Sequence, residues 1–84
     1  MTISAKSFRF DDSTLWVDLQ DGRTVGVPIA WFPRLLNATP QQRAEGKISG
    51  SGQGLHWEAL DEDISVAGLL AGRGDMTLQH PAAA

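Results

Sequence analysis

The sequence predicts an α+β fold: a small antiparallel sheet, built from three N-terminal strands plus short later strands, packed with two to three short helices. Three observations predict it. Apolar side chains recur with period two through residues 8–27, the period turns helical after Pro28, and glycines then divide the chain into pieces too short for long elements.

Phe8 and Phe10 share one face of a first strand, and Leu15, Val17 and Leu19 alternate with Trp16 and Asp18 along a second. The sequence Asp11-Asp12-Ser13 supplies the turn between them. The next turn is decided by register. A two-residue loop at Asp21 and Gly22 would set Val25 opposite Asp18 and mix the two faces. A three-residue loop of Gln20, Asp21 and Gly22 pairs Val17 with Val25 and Leu15 with Val27, and gives Gly22 the left-handed position of a bulge.

After Pro28, Ile29, Phe32 and Leu36, with Trp31 and Leu35, fall at helical spacings, and Pro33 is tolerable only within a first turn. A short helix over about 30–37 is predicted. Thr39 then reads as an N-cap, Pro40 as the first helical position, Gln42 as the partner in a capping box and Gly46 as the stop. The stretch from Lys47 to Trp57 reads as two short extended segments, one around Ile48 and one carrying Leu55 and Trp57, about the glycine-rich loop 50–54. In the run from Leu60 to Gly72, Ser65 is the expected N-cap, Ile64 and Leu69 the two halves of a hydrophobic staple, and Gly72 the stop. Asp61, Glu62 and Asp63 are thereby expected just ahead of a helix N-terminus, where the dipole favours negative charge by about 0.3 to 1 kcal/mol each.

Eighty-four residues suit one domain with a small core; residues 1–72 are expected to form it, with 73–84 a loose tail. The chain has no cysteine, which excludes disulfides, thiolate metal sites and a cysteine nucleophile. No apolar run reaches the length of a signal sequence or membrane span, so a cytoplasmic location without membrane contact is expected. The net charge is −3, and Lys6, Arg9, Arg23, Arg34, Arg43, Lys47 and Arg73 are scattered, which argues against direct binding to nucleic acid.

Each candidate site has a structural reading beside its chemical one. Asp61 and Asp63 with His56 contain metal-binding donor types, but their spacing is not that of a calcium loop; a helix-start role is expected, with a partner-facing patch left open. The glycines of 50–54 lack the lysine and the long following helix of a phosphate loop. His56 and Glu58 lie two apart on an expected strand, yet nothing supplies the nucleophile or second carboxylate of a catalytic site. Trp31, Phe32 and Trp57 suit either a core or an interface anchor, and Arg34 beside them either a solvated face or a carboxylate contact. Arg73-Gly74-Asp75 spells an adhesion tripeptide, a match that arises readily by chance.

Three motifs carry a family resemblance: Pro28, Trp31, Pro33, Arg34 and Leu35; Thr39, Pro40 and Arg43; and the run from His56 to Ser65. Over about Arg9 to Gly72 the chain resembles the small bacterial family of domains of unknown function numbered 2442. The resemblance implies a compact α+β domain with no assigned catalytic activity. Such domains are often encoded beside a small protein of another uncharacterised family, numbered 4160, in an arrangement like a toxin and antitoxin pair. Some carry a helix-turn-helix domain, which is not expected here because few residues follow Gly72.

The expectation is therefore a non-enzymatic interaction module, antitoxin-like, that binds a small protein encoded next to it. Asp61, Glu62, Asp63, Arg34, Trp31 and Trp57 are its expected partner-binding residues, no catalytic or metal-binding residue is assigned, and no cofactor is expected. A nucleic-acid-linked regulator or small acidic inhibitor from a mobile element is the alternative, and homo-oligomerisation stays open.

Overall fold

The computed structural model describes residues 3–72, so the expected tail and the Arg73-Gly74-Asp75 tripeptide lie outside the described residues. Its strands form two antiparallel three-stranded sheets, each with its strands in sequence order.

The first sheet comprises β1 (Ala5–Phe10), β2 (Thr14–Leu19) and β3 (Thr24–Pro28). Val17 stands opposite Val25 and Leu15 opposite Val27, the register set by the three-residue loop, and Gly22 has φ +96°. Leu15, Val17 and Leu19 are buried while Trp16 and Asp18 face outward, so the period-two pattern translates directly into a core face and a polar face. At the first turn the Asp11 carboxylate accepts from the Ser13 and Thr14 amides, folding the chain back. On the outer face Asp18 accepts from Thr24 Oγ1 (2.7 Å), Ser7 Oγ (3.0 Å) and Arg9 (2.8 Å). These bonds, Thr24 first and Ser7 next, hold its carboxyl below the usual carboxylate range.

The helix expected over 30–37 is two pieces, a 3₁₀ turn at Ile29–Trp31 and α1 (Pro33–Leu36), with Phe32 extended between them. The physical cause is Pro33, which drives the preceding residue out of the helical region and then starts α1 at its first position. Ile29, Phe32 and Leu35 are buried as one apolar stripe, whereas Leu36 stays exposed. The second helix, α2 (Pro40–Ala44), carries the expected capping box: Thr39 Oγ1 accepts from the Gln42 amide at 3.1 Å and Gln42 Oε1 from the Thr39 amide at 2.9 Å. Arg43 then reaches back to the Leu35 and Leu36 carbonyls at the end of α1, at 2.8 and 2.9 Å. It satisfies acceptors that the short helix leaves open.

The second sheet comprises β4 (Lys47–Ser49), β5 (Gly54–Trp57) and β6 (Glu62–Ser65), followed by α3 (Val66–Leu70). The glycine-rich segment is the turn of the β4–β5 hairpin, and its Gly52 carbonyl accepts from the Ala5 amide at 2.7 Å, fastening the turn to the start of β1. Ser65 caps α3 by accepting from the Gly68 amide at 2.8 Å, Ile64 and Leu69 are both buried, and Gly72 follows with φ +77°. One expectation is corrected here. Glu62 and Asp63 do precede α3, but as residues of β6, paired opposite Trp57 and His56 of β5 and not as a helix-start device, and Asp61 closes the preceding turn with φ +52°. The ladder with β5 and the burial of Glu62 outweigh the dipole preference, and α3 has no acidic residue in its first turn.

The core joins Leu15, Val17 and Val27 of the first sheet to Leu55, Trp57 and Ile64 of the second, with Phe32, Leu35 and Leu69 from the helices. Trp57 occupies the junction. It is 1% exposed, its indole donates to the Arg43 carbonyl at 2.8 Å, and the rings of Phe8 and Phe10 meet it edge-on at 5.5 and 6.1 Å. Gly46, expected as a helix stop, has its own role there: a Cβ at that position would collide with the Trp57 indole.

Candidate functional site

The six residues expected to bind a partner do not form one surface. Trp57 lies in the core, as just described, and Glu62 is 6% exposed. Arg34 binds inside the chain: it donates to the Asp61 carbonyl and stands 3.7 Å from the Glu62 carboxylate. Of the two uses open to Arg34, the carboxylate contact is the one observed. It holds the turn before β6 against α1, and it compensates a carboxylate removed from water. Trp31 is half-buried against the core, leaving part of its ring at the surface. Asp61 and Asp63 are exposed.

His56 does not share a strand face with Glu58, because β5 ends at Trp57 and Glu58 belongs to the turn that follows. Its partner comes from the neighbouring strand, with Nδ1 2.6 Å from Asp63 Oδ1. The pair lies on the outer side of the sheet, as expected for opposite residues on adjacent strands. Among the described residues no three His, Asp or Glu side chains converge on a metal-sized point, and none of the described helices is long and apolar enough to cross a membrane.

Most residues that carry the family motifs are thus engaged in building the fold. Thr39 caps α2, Pro33 and Pro40 start helices, Arg43 closes α1, Arg34 holds Glu62, and Trp57 joins the two sheets.

A further concavity lies elsewhere. A groove of about 850 Å³ runs between β1 and the segment from α2 into β4, with Phe8, Phe10 and Ile48 as its apolar lining. Phe8 and Phe10 are half-buried, packed 6.1 Å apart and backed by Trp57. Lys6, Arg9, Arg43 and Lys47 line it against only Asp11 and Asp12, so cations scattered in the sequence are brought around one groove by the fold. Their availability differs. Arg43 is held by the α1 carbonyls and Arg9 by Asp18, while the side chains of Lys6 and Lys47 make no hydrogen bond or ion pair among the described residues. Asp11 is also engaged: the Trp16 indole, donating at 2.8 Å, and the Ser13 amide hold its carboxyl below the ordinary range. The only early signal of this groove is the Phe8 and Phe10 pair, since Lys6 and Lys47 lie forty-one positions apart in the sequence.

With this geometry in view, similarity to known proteins can be placed on it. The sequence profile of the family described as protein of unknown function (DUF2442) matches residues 5–75. A crystal structure of a protein of unknown function from Rhodospirillum rubrum is 36% identical, with a TM-score of 0.81 over 90% of this chain and 94% of that one. A solution structure of an uncharacterized protein from Chromobacterium violaceum is 32% identical, with a TM-score of 0.73 over 84% of this chain and 67% of that one. No curated protein matches the chain.

Proposed function

The chain belongs to the bacterial DUF2442 family, and from that premise we propose that it is a protein-interaction module, an antitoxin-like partner of a small protein encoded beside it. The observation that carries this reading is the groove beside β1: an apolar trough rimmed by two cations whose side chains have no partner among the described residues, on a chain whose motif residues are largely engaged in its own fold. Apolar contact area bordered by available charge is the anatomy of a recognition surface, in which the apolar part supplies affinity and the charges supply encounter rate and selectivity. The exposed carboxylates Asp61, beside Arg34, and Asp63, beside His56, are a second candidate contact area.

The test is a pull-down of the tagged protein from its native cells with the neighbouring gene intact, read by mass spectrometry with and without nuclease. One small protein retained in stoichiometric amount and unaffected by nuclease is the expected result. In the same experiment Asp61→Lys with Asp63→Lys, and separately Lys47→Glu, divide the contact between the two areas by which set of substitutions slows association. Retention that disappears with nuclease, together with a duplex shift at low salt, would replace the interaction module by a nucleic-acid-linked regulator.

A further inference from the structure

The groove has one side made of backbone. Along β1 and β2 the Asp11 amide donates to the Thr14 carbonyl at 3.0 Å, and Arg9 stands opposite Trp16 and Ser7 opposite Asp18. Antiparallel pairing alternates between hydrogen-bonded and non-hydrogen-bonded pairs. Arg9 and Ser7 therefore direct their peptide groups toward β2, and Phe8 and Phe10 direct theirs toward the opposite, free edge. The second strand shows the same phase, since the Leu19 amide donates to Arg23 of the far strand at 2.8 Å. β1 is an edge strand of its sheet, and among the described residues neither Phe8 nor Phe10 has a backbone partner on that side. At the start of the strand the edge is closed, because Gly52 already accepts from Ala5. What remains open is the stretch at Phe8 and Phe10, which borders the groove.

We propose, building on the interaction-module reading, that the groove takes an extended acidic segment of a partner protein, which adds to the free edge of β1 as a fourth strand. An incoming strand offers its own alternating peptide groups to Phe8 and Phe10 and lays every second side chain on the apolar lining formed by these rings and Ile48. The charge of the segment follows from the rim. Four cationic residues and two acidic ones line the groove in a chain whose net charge is −3, and the Lys6 and Lys47 side chains have no partner among the described residues. Carboxylates in the segment complete these lysines, whereas a lysine-rich segment meets like charge. A second copy of the chain, joined through the same edge, would bring the cationic rim of one groove against that of the other.

The probe is a terminally blocked pentapeptide alternating valine with glutamate, titrated into the full-length protein labelled with ¹⁵N. Saturable shifts centred on Phe8 and Phe10, with slowed exchange of their amides, are expected. Lys6→Glu combined with Lys47→Glu should weaken binding about tenfold or more while leaving the spectrum of the free protein folded. Replacing glutamate by lysine in the peptide should abolish binding to the native protein and restore it to the double variant. N-methylation of alternate peptide amides should abolish binding although the side chains are unchanged. Absence of shifts at millimolar peptide, equal binding of both peptides, shifts away from β1, displacement by a single-stranded oligonucleotide, or a concentration-dependent dimer through β1 would each overturn the proposal. The two readings separate cleanly. A small partner retained in the pull-down but indifferent to Lys6→Glu with Lys47→Glu removes strand addition and keeps the interaction module; loss of the partner altogether removes both.

Discussion

The two sheets differ in what holds them together. In the first, strands of six, six and five residues alternate between a core face and an outer face, and the ladder with the apolar row Leu15, Val17 and Leu19 suffices. In the second, strands of three, four and four residues are too short for that, and individual side chains tie them in: Trp57 to Arg43, Glu62 to Arg34, His56 to Asp63. A long strand distributes its stability over repeated small terms, and a short one concentrates it in a few residues. The second sheet should accordingly be the more sensitive to single substitutions outside the shared core.

The largest effect expected from that difference is at Trp57. Trp57→Ala removes a buried aromatic ring, strips Phe8 and Phe10 of their backing and takes the indole donor from the Arg43 carbonyl, at a cost of about 3 to 5 kcal/mol. In a domain of ordinary stability this is a large share of the total, and urea denaturation of the variant should show a transition at much lower denaturant or none. Next comes Arg34→Ala, which leaves the Glu62 carboxylate buried without its cation and frees the Asp61 turn. About 1 to 3 kcal/mol is expected, reduced from the fully buried case because Arg34 itself is half exposed. A double variant with Glu62→Gln should recover part of that loss, a double-mutant cycle that reads the pair directly. Thr39→Ala removes one half of the capping box of α2 and should cost about 1 kcal/mol, measured by the same denaturation.

The smallest effect belongs to the outer face of the first sheet. Asp18 is held below its ordinary value of 3.8 by Thr24, Ser7 and Arg9, so the folded carboxyl binds its proton less readily than the unfolded one. Its stabilising contribution is complete above the unfolded value and is lost as pH falls through the folded value. Asp11 and Asp21 are shifted the same way, and stability should therefore decline below about pH 4. Asp18→Asn should flatten part of that decline while changing little at neutral pH, because the group is exposed and screened. A large loss at pH 7 in this variant would show that the first sheet, too, depends on single side chains.

The same contrast explains what the sequence makes legible. Strict alternation in the first sheet encodes its register, down to Val17 opposite Val25, because one slipped residue would turn the core face outward. The capping signals at Thr39 and Ser65 are equally local and equally readable. β6 is not, since Asp61-Glu62-Asp63 has the composition of a helix start, and Glu62 is placed as a buried strand residue by its pairing with β5, with Arg34, remote in the chain, beside its carboxylate. The expected partner-binding set fails as a single surface for the same reason: neighbours in sequence on a strand face opposite ways, so Glu62 turns inward and Asp63 outward. The groove depends wholly on the docking of β4 beside β1, a tertiary fact that no local pattern announces.

The strand order of the two sheets bears on how the chain assembles. Each is a meander in which every strand pairs with the next one along the chain, so either can close through short loops at little entropic cost. Their meeting, marked by the bond from Ala5 to Gly52 and by Trp57 settling against Phe8 and Phe10, brings together parts far apart in sequence, as does the clasp of Arg34 on Asp61 and Glu62. The rate of folding should then be governed by that single docking event, and substitutions at the junction should slow it more than equally destabilising ones within either meander.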